Sequence, residues 1–381
     1  MKNKFNKKLV IFLLTIGAFL VILSATLPLT VATTNLGNIK ADCENTISIN
    51  NDIPKFVEKP KKYAISPQFF KTKGLESKKN IIKTKIGNKK YTFKTEYFLP
   101  TSGKKIGKAG EYNEYWYNCQ AITIVGKHMY ILTSHGYNVK KGFIVRYDME
   151  MLNKYKLNQG KALASLRKLG TSLKNNENLT KHQKLIKKAI KIGPVFNTGH
   201  GQSLAYNPKT KSLWMWQDDK YLSPKLKLMK INMKTLKPSS MYKFTVYYNN
   251  KKANKVRNLA FDKNGNFYFH QFISSSKGDN IFKGKIANNE IKIELLATIK
   301  NRPGYYAQAL ALNPVSNRLY LVFDGVFYSI PVDKLCNYTL TKNDFEYTIL
   351  NTKREFEGMS FDKYGNTYLL LIRGTEVLKS I

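Results

Sequence analysis

Acidic residues are scarce in this chain, and so are histidine and cysteine. Against 64 Lys plus Arg stand only 25 Asp plus Glu, with five His and three Cys in 381 residues. The three cysteines, Cys43, Cys119 and Cys336, allow at most one internal bridge, which excludes a disulfide scaffold. No two of them stand at metal-ligand spacing with a histidine, so neither a structural zinc nor any other cofactor is expected. Catalytic signatures are absent too. There is no phosphate-cradling glycine loop, no His-Glu-x-x-His and no Gly-x-Ser-x-Gly elbow. The turns at Asp262 and Asp362 lack the alternating ligands and closing Glu of a calcium loop, and read as hairpin turns.

What remains is a formal charge of +39. A field of that size draws a protein to polyanions: nucleic acid, anionic lipid or phosphate-rich wall polymer. The N-terminus narrows the choice. Lys2, Lys4, Lys7 and Lys8 precede an apolar run from Leu9 to Leu23, broken by Pro28, which is the form of a secretory signal. Cleavage candidates follow Ala32 and Ala41, and the competing reading is a retained membrane anchor. Removing residues 1–41 takes five lysines and no acid. That leaves 59 basic side chains (64 less five) against 25 acidic ones, or +34. The expected location is extracellular, or the cell surface if the anchor stays. The expected partners are anionic polymers or lipids of bacterial envelopes, and glycans, with no specific nucleic acid.

The chain repeats one phrase five times. Glu357-Gly-Met-Ser-Phe-Asp-Lys-Tyr-Gly-Asn-Thr-Tyr-Leu-Leu370 has counterparts that start at Gln120, Gln202, Arg257 and Gln308. Each reads as strand, tight turn, strand. In two of them Asp closes the turn and Gly takes the positive φ. Spacings near fifty residues, with further strands at Gly142–Asp148, Leu226–Ile231, Asn280–Ile286 and Gly325–Ile330, predict an all-β fold, a β-propeller of about five blades. Fourth strands are expected at Met241–Val246, Ile291–Leu296 and Asp344–Ile349. The domain plan is a signal or anchor over 1–41, a linker with N-terminal strands over 42–118, and the propeller over 119–381. Strands at Asn80–Ile86 and Lys90–Phe98 are placed to complete the blade ending in Thr375–Ile381.

One interval is long, and an insert at about 150–192 fills it. Leu163, Leu166, Leu169 and Leu173 recur at helical spacing. Thr180 and Gln183 then offer a capping box for a second helix with Leu185, Ile186, Ala189 and Ile190 on one face. Its other face carries Lys181, Lys184, Lys187, Lys188 and Lys191, candidates for contact with a membrane or polyanion.

In a propeller the first strand of each blade lines the central channel. Gln120, Gln202, Arg257, Gln308 and Glu357 should therefore form a polar ring at one mouth, with His200 nearby. Such a ring suits channel waters and strand ends, and its amides and carboxylate suit sugar hydroxyls. It offers one acid where glycoside hydrolysis needs two, although Glu111, Glu114, Asp218 and Asp219 stand in loops. His135, His200 and His270 would make a metal site only if loops of three blades converged. Tyr112–Tyr117 and Tyr305-Tyr306 are candidates for stacking on sugars or bases.

At Gly199-His200-Gly201-Gln202-Ser203, and in the later Gln- and Glu-led copies with their Asp-x-x-Gly-Asn-x-Tyr hairpins, the chain resembles the helveticin J family of large secreted bacteriocins of lactobacilli. The likeness covers about residues 115–375. It departs in the N-terminal region, the lysine-rich insert and the charge. The resemblance implies a propeller that acts at Gram-positive envelopes, antimicrobial and without a catalytic residue set to transfer. The reading is thus a secreted, cationic, non-enzymatic cell-wall binder. Its alternatives are a carbohydrate-active enzyme using Glu357, or a membrane-anchored adhesin.

Overall fold

The computed structural model describes residues 46–48, 78–101, 118–134, 140–218, 226–248, 251–252, 256, 258–273, 278–287, 290–300, 304, 307–372 and 374–381. Before the repeats come β1 (Thr46–Ser48), β2 (Ile81–Gly87) and β3 (Thr92–Phe98). Thr46–Ser48, within the 42–118 region assigned above to a linker with N-terminal strands, pairs with the last strand of blade three.

Blade one holds β4 (Asn118–Val125), β5 (His128–Ser134) and β6 (Lys141–Asp148). The insert follows as α1 (Met149–Lys154), a 3-10 turn at Gly160–Ala164, α2 (Ser165–Lys174) and α3 (Lys181–Lys188). The chain then returns to β6 as β7 (Ile190–Ile192) and β8 (Phe196–Asn197). Blade two is β9 (Ala205–Asn207), β10 (Ser212–Trp216), β11 (Leu226–Asn232) and β12 (Lys237–Phe244). A small hairpin of β13 (Tyr247–Tyr248) and β14 (Lys251–Lys252) leads on. Blade three is β15 (Ala260–Phe261), β16 (Phe267–Ile273), β17 (Gly278–Ala287) and β18 (Glu290–Lys300), with β1 added in parallel on β18. Blade four is β19 (Ala307–Asn313), β20 (Arg318–Phe323), β21 (Val326–Pro331), α4 (Val332–Cys336) and β22 (Glu346–Leu350). Blade five is β23 (Phe356–Phe361), β24 (Thr367–Leu371) and β25 (Glu376–Ser380).

The inner strands adjoin in the cyclic order β4, β9, β15, β19, β23 and back to β4. This is a five-bladed β-propeller. Blade five takes its outermost strand from the N-terminal side, where β3 pairs antiparallel with β25. The same hairpin also reaches sideways: β2 pairs with β3 at one end and with β22 of blade four at the other.

The repeat's letter pattern has a packing reason. After its polar first residue each copy alternates small and large side chains, as in Ala309-Leu-Ala-Leu312. The large ones, Ile122, Leu204, Leu259, Leu310 and Met359, pack against the preceding blade, and the small ones admit the next. Five apolar clusters result, one at each blade junction, and this is where the aromatics go. Trp216 meets Phe244, Phe267 and Phe269 between blades two and three. At Gly358 the approach between blades five and one is close, for a Cβ there would lie 2.7 Å from Ile122 Cγ2.

The insert packs its apolar face on the same frame, with Leu152, Leu166, Leu169 and Ile186 in the cluster between blades five and one. The capping box of Thr180 and Gln183 is present in both directions. The helix ends earlier than its periodicity suggested. Ala189 caps it, and Ile190–Ile192 switches to a strand because β6 lacks a partner there. Lys191 is thus on a strand, not on the helix face assigned to it above. In blade two the fourth strand begins at Lys237 rather than Met241, held through a bulge opposite Lys230/Ile231 despite its polar start. Among the described residues no helix is long and apolar enough to cross a membrane.

Candidate functional site

Three of the five leading residues share a local device. In β4, β19 and β23 the register slips at Cys119/Ala121, Ala307/Ala309 and Phe356/Gly358. Gln120, Gln308 and Glu357 are the extra residues of these β-bulges. A bulge turns one side chain out of the alternation and re-aims it, here away from the blade junction that its neighbours serve.

The re-aimed side chains meet. Gln202 Nε2 donates to Gln308 Oε1 at 2.8 Å and to Glu357 Oε2 at 3.4 Å. Gln308 Nε2 donates to Asp324 Oδ1 at 3.1 Å, and that oxygen also accepts from Phe356 N at 3.0 Å. Gln120 belongs to the same set of strand ends and is equally buried, but its Oε1 has no hydrogen-bond partner among the described residues. Arg257, the fifth expected member, lies outside the described residues. Asp324 was not expected. It sits in the Phe-Asp-Gly turn between β20 and β21, where the sequence shows only a turn residue.

Beside the ring stands a buried relay that sequence reading also missed. Asn258 Nδ2 donates to Gln202 O at 3.2 Å, which orients Asn258 Oδ1 toward His270 Nε2 at 2.5 Å. His270 Nδ1 faces Asp279 Oδ1 at 3.0 Å. Both ring nitrogens therefore meet acceptors, and His270 has none left for a metal. His200 is half-buried, and its backbone N donates to Asp218 O at 2.9 Å, while Asp218 Oδ1 accepts from Gly201 N at 2.6 Å. His135, Glu111, Glu114, Asp219 and both tyrosine groups named above lie outside the described residues. Among the described residues no cluster of three or more His, Cys, Asp or Glu is arranged to hold a metal ion.

The ring is a plug rather than a cleft. Gln120, Gln202, Gln308 and Glu357 are 3%, 6%, 4% and 3% exposed. Below them lies a collar of the large channel residues, Ile122, Leu204, Leu259, Leu310 and Met359. The cavity between the two holds about 10 Å³, about the room that one water needs. A sugar ring does not fit there. Cys119, next to Gln120, is a buried free thiol that burial pushes up to about 11.

The electrostatics divide sharply between inside and outside. Several described acids are committed within the fold: Asp262 and Asp362 close their own turns, Asp148 caps α1, and Asp279, Asp324 and Glu376 are buried with partners. The lysines of the insert point outward. Lys181, Lys184, Lys187 and Lys188 on α3, and Lys191 on β7, are all exposed. Leu185 stands among them 38% exposed.

The fold defines a class, the five-bladed propellers, and the solved structures it is similar to span several activities. An exo-β-1,3-galactanase from Clostridium thermocellum is 12% identical, with 74% of this chain and 60% of that one covered and a TM-score of 0.42. A streptogramin B lyase is 12% identical over 76% of this chain and 97% of its own, with a TM-score of 0.34. A putative 6-phosphogluconolactonase from Bacteroides uniformis is 10% identical over 79% and 77%, with a TM-score of 0.35. No family model and no curated protein matches the chain.

Proposed function

We propose that this protein is an exported, non-enzymatic propeller, similar to helveticin-type bacteriocins, that binds anionic polymers or lipids of bacterial envelopes. The observation that carries this reading is the division of charge. Acids are fewer than half as many as the basic residues, and several of them are engaged in turns, caps and buried pairs, so an excess of lysine remains to face solvent. The insert concentrates part of that excess in Lys181, Lys184, Lys187, Lys188 and Lys191. Exposed charges attract polyanions over a Debye length of about 8 Å at physiological salt, and screening weakens that attraction. Purified residues 42–381 should bind Gram-positive cells and lipoteichoic acid strongly at low salt and weakly at high salt. Changing the five insert lysines to glutamine should flatten that dependence with no loss of folding. Binding indifferent to salt refutes the reading. A survivor count over a panel of related Gram-positive strains then separates a bactericidal protein, which kills a narrow set, from a wall binder, which kills none. Appearance in the membrane fraction rather than the medium would make it an anchored adhesin.

A second reading has one feature in its favour, the Glu357 carboxylate, which a bulge aims at the ring beside an amide donor. A carbohydrate-active enzyme would require the plug to open around Glu357, which is 3% exposed; in that case Glu357→Gln would abolish glycan turnover while leaving envelope binding intact.

A further inference from the structure

The two ends of the channel differ. At the Gln/Glu end the plug leaves room for a single water. At the other end, where the hairpin turns of the five repeats gather, the channel opens into a bowl of about 730 Å³. That is within the range of small-molecule sites, roughly 300–1,000 Å³. Its wall is the last large residue of each inner strand: Ile124, Tyr206, Phe261, Leu312 and Phe361. The collar that floors it is apolar as well.

The rim is polar, but most of its polarity is consumed. Asp262 Oδ1 accepts from Asn264 N and Asn266 N, and its Oδ2 accepts from Asn266 Nδ2 and Tyr268 OH. Asp362 repeats this with Tyr364 N, Asn366 N and Asn366 Nδ2. Asp333, the third acid on the rim, accepts from Asn317 Nδ2. The rim cations are not so engaged. Lys263, Lys283 and Lys363 line the bowl, and none forms an ion pair among the described residues; Lys363 Nζ rests over the Tyr364 ring at 4.8 Å. Tyr364 and Val315 stand beside them, 71% and 64% exposed.

We propose that this turn mouth is a binding site for an anionic amphiphile, with the apolar body in the bowl and a phosphate, sulfate or carboxylate head on Lys263 and Lys363. An apolar cavity excludes a bare anion, and the Asp262 and Asp362 carboxylates, filled by their own turns, have little left to offer a cationic ligand. Uncommitted ammonium groups above an apolar wall select the combination. The inference does not depend on the envelope reading, because none of the insert lysines lines the bowl and the ligand is small enough to enter it.

The test uses the purified protein with anilinonaphthalene sulfonate, whose fluorescence rises on transfer to an apolar site. Saturable one-to-one binding is expected, displaced by monomeric dodecyl phosphate and not by dodecyltrimethylammonium. The Lys263→Glu/Lys363→Glu variant should bind the probe about ten-fold more weakly, with unchanged circular dichroism and thermal unfolding. Leu312→Arg, which fills the wall, should abolish binding as a second check. Phosphatidylglycerol vesicles form the other arm. Displacement of the probe by vesicles places the head group of a bilayer lipid in the bowl, whereas displacement by dodecyl phosphate alone assigns a free amphiphile. Absence of saturable binding, equal displacement by the cationic detergent, or full binding in the double lysine variant overturns the proposal. None of these outcomes bears on salt-dependent binding to cells, so the two readings fail separately.

Discussion

Arg354→Met should be among the most damaging single changes in this protein. Glu376, on β25, is wholly buried, and Arg354 Nη1 donates to its Oε1 at 2.5 Å. The other guanidinium nitrogen, Nη2, donates to Ile372 O and Gly374 O at 3.2 and 3.1 Å, bracing the turn into the same strand. The second carboxylate oxygen accepts from Asn80 Nδ2 at 2.9 Å and Thr95 Oγ1 at 3.2 Å. Those two donors come from the N-terminal hairpin, Asn80 just before β2 and Thr95 on β3. Glu376 therefore ties the last strand of the chain to the first hairpin of the propeller, with Arg354 as its counter-charge. Removing the arginine leaves a buried carboxylate with two neutral donors, a change that costs about 3–5 kcal/mol. Against a net stability of about 5–15 kcal/mol, that is a large fraction. Urea unfolding followed by tryptophan fluorescence measures it as a lower midpoint at unchanged slope. Arg354→Met with Glu376→Leu removes the stranded charge as well and should recover at least half of the loss. A single variant that costs under about 1 kcal/mol, or a double variant no better than the single, would refute this account of the closure.

Gly358→Ala should destabilise by about 1–3 kcal/mol through overpacking, since the added Cβ meets both Ile122 Cγ2 and Ile122 N. The loss should shrink when Ile122→Leu removes the β-branch, and an additive pair of changes would contradict the contact. In a Cys43→Ser background at pH 8, the partly exposed Cys336 should react with a thiol reagent in the folded protein and Cys119 only on unfolding. Burial raises Cys119 from 9.0 to about 11, so its contribution to stability is complete below pH 9 and lost as pH rises toward 11. Cys119→Ala should remove that part of the alkaline slope. Thr180→Ala removes the hydroxyl that accepts from Gln183 N, one of the two bonds of the capping box, and should cost about 1 kcal/mol, seen as faster hydrogen exchange confined to α3.

What the sequence showed well was whatever repeats locally. The hairpin turns at Asp262 and Asp362 announce themselves through Asp and Gly, and Gly265 and Gly365 do take the positive φ those turns require. The capping box is a three-residue relation, and it is present. The leading Gln and Glu residues were legible as a set because the copies align, although that each of three sits on a bulge was not. A bulge depends on how the partner strand is spaced, which no single strand displays. The features missed are relations across the chain. Asp324 reaches Gln308 and Phe356 across two blades, and His270 meets Asn258 and Asp279 from separate strands. Arg354 and Glu376 look like ordinary surface charges until the ring closes around them. The misplaced end of α3 has the same cause: Ile190 continues the helical periodicity, and the open edge of β6 wins.

The hairpin of β2 and β3 sets the order in which the molecule is assembled. Its residues leave the ribosome before all five blades, yet β3 must wait for β25, nearly the whole propeller later, and β2 for β22. Until then this segment is a strand pair with two open edges, the situation in which chains stick to one another. Its composition answers that hazard. Lys83, Lys85, Lys89, Lys90 and Lys94 stud the hairpin, and like charge keeps two such edges apart while the blades form. The lysine excess thus has a second use, protecting a ring that is sewn shut with its oldest thread.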